Sequence, residues 1–121
     1  DGPVVLFVGR LVHEKGIQVL LQAAPSILAS HPDATFVIAG TGYFEEELRA
    51  TAGKLGVAER VRFFGQANDS DLSELYAMAD ALVVPSLYEP FGIVALEGMA
   101  NRVPTITSNS GGLIDIVEHM S

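Results

Sequence analysis

Four charged residues stand where they could do chemistry. Glu89 and Glu97 lie eight positions apart in the segment SLYEPFGIVALEGMA, separated by a Pro-Phe-Gly turn. Six of the eight residues from Ile93 to Ala100 are apolar, and Glu97 is the only charge among them. A lone carboxylate in an apolar helix is costly to bury unless something pairs with it. Either Glu97 points to solvent on an exposed edge, or it accepts hydrogen bonds from a ligand. A pair of sugar hydroxyls would suit it, each bond to the charged group contributing about 1.5–3 kcal/mol. Near the other end, Gly9-Arg10-Leu11-Val12-His13-Glu14-Lys15-Gly16 puts two cations, Arg10 and Lys15, in one loop. Arginine offers a two-pronged fork to phosphate oxygens and lysine a point charge. The loop is either a phosphate site or an ordinary surface turn with two solvated cations.

Neither loop is a familiar nucleotide fingerprint. Lys15 precedes its glycine and no Ser or Thr follows, so the first loop is not a P-loop. The glycines of G-x-G-x-x-G are missing from it too. Gly40-Thr41-Gly42 is a partial echo, but Glu45 occupies the place of a third glycine. His13 is the one histidine in the first loop and the chain has no cysteine, which argues against a metal site. His31 and His119 fall near helix ends, where an imidazolium favours the dipole, and are read as structural.

The elements that must carry these residues are legible as alternating apolar patterns. Val4 to Val8 is a continuous apolar run closed by Gly9, the pattern of a strand buried on both faces. Ile17, Leu20, Leu21, Ala24 and Leu28 form a helical stripe, which Pro25 should kink or shorten. Thr35 to Ala39 predicts a second strand, Phe44, Leu48, Ala52 and Leu55 a second helix, and Val61 to Phe64 a third strand. Asn68 with Asp71 three residues on predicts a capping box, followed by the apolar face Leu72, Leu75, Tyr76 and Ala79. Ala81 to Val84 is a fourth strand stopped by Pro85, a helix over 92–100 follows, and Pro104 to Thr107 reads as a fifth strand. Gly111-Gly112 then precedes a short helical stretch. Short connections and the absence of hairpin signals predict an α/β fold with a doubly wound, mostly parallel, Rossmann-like sheet of about five strands and helices on both faces. In such sheets ligands bind beyond the carboxyl ends of the strands. Arg10 and Lys15, Glu89 and Gly92, and Gly111-Gly112 all fall there.

Composition narrows the options. The 121 residues suit one domain, and 49% of them are apolar, enough for a core. Seven Lys+Arg against fifteen Asp+Glu give a net charge of −8, which argues against nucleic acid as a partner. Glu45-Glu46-Glu47 and the Asp69, Asp71, Glu74 group fall where helices should begin, so this acidity reads as dipole-complementing surface. No apolar run approaches the roughly 20 residues that span a bilayer. The absence of cysteine suits a reducing, cytoplasmic setting, and peripheral membrane contact of a longer protein stays open. Asp1-Gly2-Pro3 runs straight into a strand without a start methionine, which reads as a piece of a longer chain.

The order G-R-x-x-x-x-K-G, then P-S-x-x-E-P-F-G-x-x-x-x-E, then G-G resembles the C-terminal, nucleotide-sugar-binding domain of retaining glycosyltransferases of the two-Rossmann-domain, GT-B type. That group includes glycogen and starch synthases. The likeness covers nearly the whole chain, with the paired-glutamate segment as its most specific part. It implies one donor-binding domain over 1–121, without the N-terminal acceptor-binding domain or the final C-terminal elements. It also implies roles. Arg10 and Lys15 would neutralise the leaving diphosphate of a UDP-, ADP- or GDP-linked sugar, and Glu89 would contact the sugar hydroxyls beside the reacting centre. Glu97 would hold the ribose. Gly9, Phe91, Gly92 and Ile93, with Gly111, Gly112 and Leu113, would border phosphates and sugar, and Arg62 would lie near the base. No metal would be needed at the diphosphate and no other cofactor is implied. The acceptor would bind the absent domain, so this chain alone should not transfer sugar. A nucleotide-sugar epimerase or phosphorylase-like protein and a non-catalytic nucleotide-sugar-binding module are the alternatives that share this architecture.

Overall fold

The computed structural model describes residues 2–85 and 104–107. Five strands, β1 (Val4–Val8), β2 (Thr35–Ala39), β3 (Val61–Gly65), β4 (Ala81–Val84) and β5 (Thr105–Thr107), form one sheet in the order β3-β2-β1-β4-β5. Every pairing is parallel. Helices α1 (Ile17–Ser30), α2 (Glu45–Lys54) and α3 (Asp69–Met78) connect the first four strands. The chain thus steps outward from β1 through β2 to β3, then crosses back to place β4 on the other side of β1. The strand order reverses between β1 and β4, the position where doubly wound sheets open a ligand crevice.

β1 is apolar throughout because it is central. Leu6 sits opposite Val37 of β2 on one side and Leu82 of β4 on the other. Side chains alternate between two cores, since successive strand residues point to opposite faces. Val5, Phe7, Phe36, Ile38 and Val83 join α1 and α2 in the larger core, while Leu6, Val37, Ala39 and Leu82 meet Leu75 and Tyr76 of α3. Asp80 pins the amino ends of two strands: its carboxylate accepts from Val4 N–H at 2.7 Å, and its own N–H donates to Val4 O at 2.8 Å. Arg60, in the 3₁₀ turn Ala58–Arg60, ties the start of β3 to the turn before β2 by donating to Ala34 O (2.9 Å), Asp33 O (2.5 Å) and Thr35 Oγ1 (3.2 Å).

The local signals mostly act as read. The Asn68–Asp71 capping box is present in both directions, with Asp71 N–H donating to Asn68 Oδ1 at 2.8 Å and Asn68 N–H to Asp71 Oδ2 at 3.1 Å. Glu45, Glu46 and Glu47 occupy the first turn of α2, and Asp69 and Asp71 that of α3; Glu74 lies a turn further in. Pro25 is the exception. It does not shorten α1, which runs on to Ser30. Proline removes the N–H that would serve the Leu21 carbonyl, but Pro25 is exposed while Ala24 and Ile27 beside it are buried. Tertiary burial outweighs that one lost bond, and it draws Ile27 rather than Leu28 into the centre of the stripe. The predicted helix over 92–100 and the stretch after Gly111-Gly112 lie outside the described residues.

Candidate functional site at the carboxyl rim

The loop after β1 is not loose. Gly9 N–H donates to Ala39 O at 3.0 Å and Leu11 N–H to Thr41 O at 2.9 Å, so the pairing with β2 continues past both strand ends. Gly40 N–H in turn donates to Gly65 O at 2.8 Å, linking the end of β2 to that of β3. Three strand ends therefore form a joined rim. A cavity of about 250 Å³ opens on it, bordered by Gly9 and Arg10, Gly40 and Thr41, and Gln66, with Leu72 of α3 as one wall. Arg10 is exposed there, and its guanidinium makes no hydrogen bond or ion pair with the described residues. A fork beside exposed backbone and polar side chains is equipped to receive an anion.

Lys15 takes a different position on the same rim. It ends the 3₁₀ turn His13–Lys15, which Gly16 closes in the left-handed conformation at φ 75°. A Cβ on Gly16 would collide with the carbonyl oxygen of Pro85, so only glycine lets this loop lie against the end of β4. Lys15 is half-buried beside that contact, at the β1/β4 reversal point. His13, the histidine read as no metal ligand, packs edge-on against Phe44 with ring centroids 5.8 Å apart. Among the described residues no cluster of three or more His, Asp or Glu side chains is arranged to hold a metal ion, and no helix is long and apolar enough to cross a membrane.

The structure brings Gly9 and Arg10 together at the cavity and sets Lys15 beside the root of the glutamate-bearing segment, Pro85. It does not bring Arg62 to them. Arg62 is the second residue of β3, opposite Val37, and its guanidinium reaches back to donate to Glu59 O at 2.5 Å. The rim is reached only at Gly65 and beyond, and Gln66 borders the cavity there. Thr41 and Gln66 both follow strand ends, where such sheets bind ligands, and that position is the signal that points to them. Glu89, Phe91, Gly92, Ile93, Glu97, Gly111, Gly112 and Leu113 lie outside the described residues.

A parallel sheet with one order reversal, helices on both faces and a cationic glycine-rich rim define a Rossmann-like α/β domain. The model of the family Glycosyl transferases group 1 matches residues 1–121, and the chain belongs to that family. An uncharacterized glycosyltransferase of Methanocaldococcus jannaschii is 48% identical over 119 residues, covering 98% of this chain and 30% of the relative. The glycogen synthase of Mycobacterium tuberculosis is 44% identical over 117 residues, covering 96% of this chain and 28% of the relative. Among solved structures, sucrose-phosphate synthase from Thermosynechococcus elongatus superposes with a TM-score of 0.80 at 35% identity, over 93% of this chain and 29% of that one. The chain thus spans about three tenths of the length of these proteins.

Proposed function

We propose that this chain is the donor-binding part of a retaining glycosyltransferase that moves a hexosyl group from a nucleoside-diphosphate sugar to an acceptor hydroxyl. The observation that carries the reading is the rim itself. Arg10 has no partner among the described residues and stands beside a cavity at three joined strand ends, and the Lys15 loop is seated on Pro85, where the Glu89 and Glu97 segment begins. Family membership supports the same assignment.

On this reading Arg10 and Lys15 neutralise the diphosphate as the bond to the anomeric carbon breaks and negative charge gathers on the leaving oxygen. Preorganised cations do this without the solvent reorganisation that water would require. Glu89 holds the sugar hydroxyls and Glu97 the ribose. The leaving phosphate takes the proton of the incoming hydroxyl on the same face, which gives retention. The two cations serve the diphosphate without a metal. The acceptor is held by a further part of the whole protein, so the chain binds donor without transferring it.

Calorimetric titration with UDP-, ADP- and GDP-linked glucose and mannose tests the assignment. One nucleotide series binds, Arg10→Ala weakens it about 10- to 100-fold through loss of charge-assisted bonds, and Glu97→Ala weakens it too. Excess chelator leaves the affinity unchanged. Absence of binding by every member at millimolar concentration contradicts the reading.

A further inference from the structure

We infer that Gly40-Thr41-Gly42 acts as a positioning strip, a backbone template that holds Arg10 in place for the donor diphosphate. In sequence the triplet is an incomplete dinucleotide fingerprint, and the proposed chemistry assigns it no part. Its contacts give it one.

Arg10 lies between two residues whose amides are both bonded to this strip or its approach: Gly9 N–H to Ala39 O at 3.0 Å and Leu11 N–H to Thr41 O at 2.9 Å. Leu11 is held a second time, because its carbonyl accepts from Phe44 N–H at 3.0 Å, and its side chain is fully buried in the larger core. The backbone of Arg10 is thus clamped on both sides while its side chain stays exposed.

The clamp requires both glycines. A Cβ at Gly40 would overlap the Gly9 carbonyl oxygen, and Gly40 also has φ 141°, a conformation that L side chains rarely adopt. A Cβ at Gly42 would overlap the Leu11 carbonyl oxygen and stand 2.7 Å from its carbon and 2.8 Å from its nitrogen. These are backbone atoms, so relief demands that the two loops part. Any side chain at 40 or 42 would therefore move the residues that flank Arg10. A misplacement of about 1 Å in a positioning group can lower the rate or affinity it supports by up to about a hundredfold. The glycines thus contribute through Arg10.

This inference rests on the assignment of Arg10 to the diphosphate, and a double-mutant cycle separates the two claims. Gly42→Ala, Arg10→Ala and the pair are titrated with UDP, ADP and GDP, with Gly53→Ala as a control because nothing lies within 4 Å of its added methyl. Gly42→Ala weakens binding of the preferred diphosphate roughly tenfold in the native background and leaves it unchanged in the Arg10→Ala background. A purely structural effect would instead carry over undiminished. If Arg10→Ala binds like the native chain, the diphosphate assignment fails and this inference with it. If Arg10→Ala weakens binding and Gly42→Ala does not, or if the two losses add, only the positioning role fails. Should Gly42→Ala not fold, amide hydrogen exchange on the native chain decides. Gly9 and Leu11 N–H are protected before any nucleotide is added, whereas exchange at the rate of open loops overturns the template.

Discussion

Gly16→Ala and Gly56→Ala impose the same backbone burden and differ in what the new methyl meets. Both glycines sit at φ 75°, where an L-residue pays about 1–2 kcal/mol. At Gly56 nothing lies within 4 Å of the added Cβ, so this conformational cost is the whole effect. At Gly16 the methyl overlaps the Pro85 carbonyl oxygen and comes within 2.8 Å of its carbon. Forcing extra volume against fixed atoms adds about 1–3 kcal/mol. Gly16→Ala should therefore lose roughly 2–5 kcal/mol against about 1–2 for Gly56→Ala. Urea denaturation followed by circular dichroism reads the difference as a lower midpoint at unchanged slope. In thermal unfolding each 1 kcal/mol corresponds to about 4 °C for a chain of this size. Donor affinity falls in Gly16→Ala alone, because only that residue seats the Lys15 loop on β4. Equal losses of stability in the two variants, with equal donor affinity, would refute the claim that this contact assembles the rim.

The scaffold makes further predictions. Asn68→Ala removes one arm of the α3 capping box and costs about 1 kcal/mol, read by urea denaturation. Leu6→Ala, in the middle of the central strand at 0% exposure, costs about 2–5 kcal/mol by the same measure. Arg60→Lys fails to restore the stability lost in Arg60→Ala, because three acceptors on three successive residues, Asp33 O, Ala34 O and Thr35 Oγ1, need the planar fork. Full rescue by lysine in thermal melts would contradict that geometry.

The fold was legible where its causes are local or periodic. Val4–Val8 is a continuous apolar run and Thr35–Ala39 is apolar from Phe36 on because both faces of these strands are covered, and both strands have the bounds that the sequence predicts. The Asn68–Asp71 box was legible because both partners sit three residues apart. The shortening expected at Pro25 fails for the opposite reason. Its local penalty is real, but whether a helix survives it depends on Ala24 and Ile27 being buried against strands far along the chain. The site divides in the same way. Strand-end logic finds Arg10, since Gly9 visibly closes β1. Arg62, which only the family resemblance singles out, is the second residue of β3 and stands away from this cavity, while the rim begins at Gly65. The use of Gly40 and Gly42 has no local signature, since it depends on the backbones of Gly9 and Leu11, about thirty residues earlier.

The central claim is that Arg10 and Lys15 recognise a diphosphate. Its most direct measurement is the ratio of affinities for nucleoside diphosphate and nucleoside monophosphate, taken by calorimetry in the native chain and in the Arg10→Ala/Lys15→Ala variant. The native chain prefers the diphosphate at least tenfold, the worth of one charge-assisted contact, and the double variant loses that preference while still binding the monophosphate. An equal preference in both proteins would contradict the account, because the second phosphate would then owe nothing to these two cations.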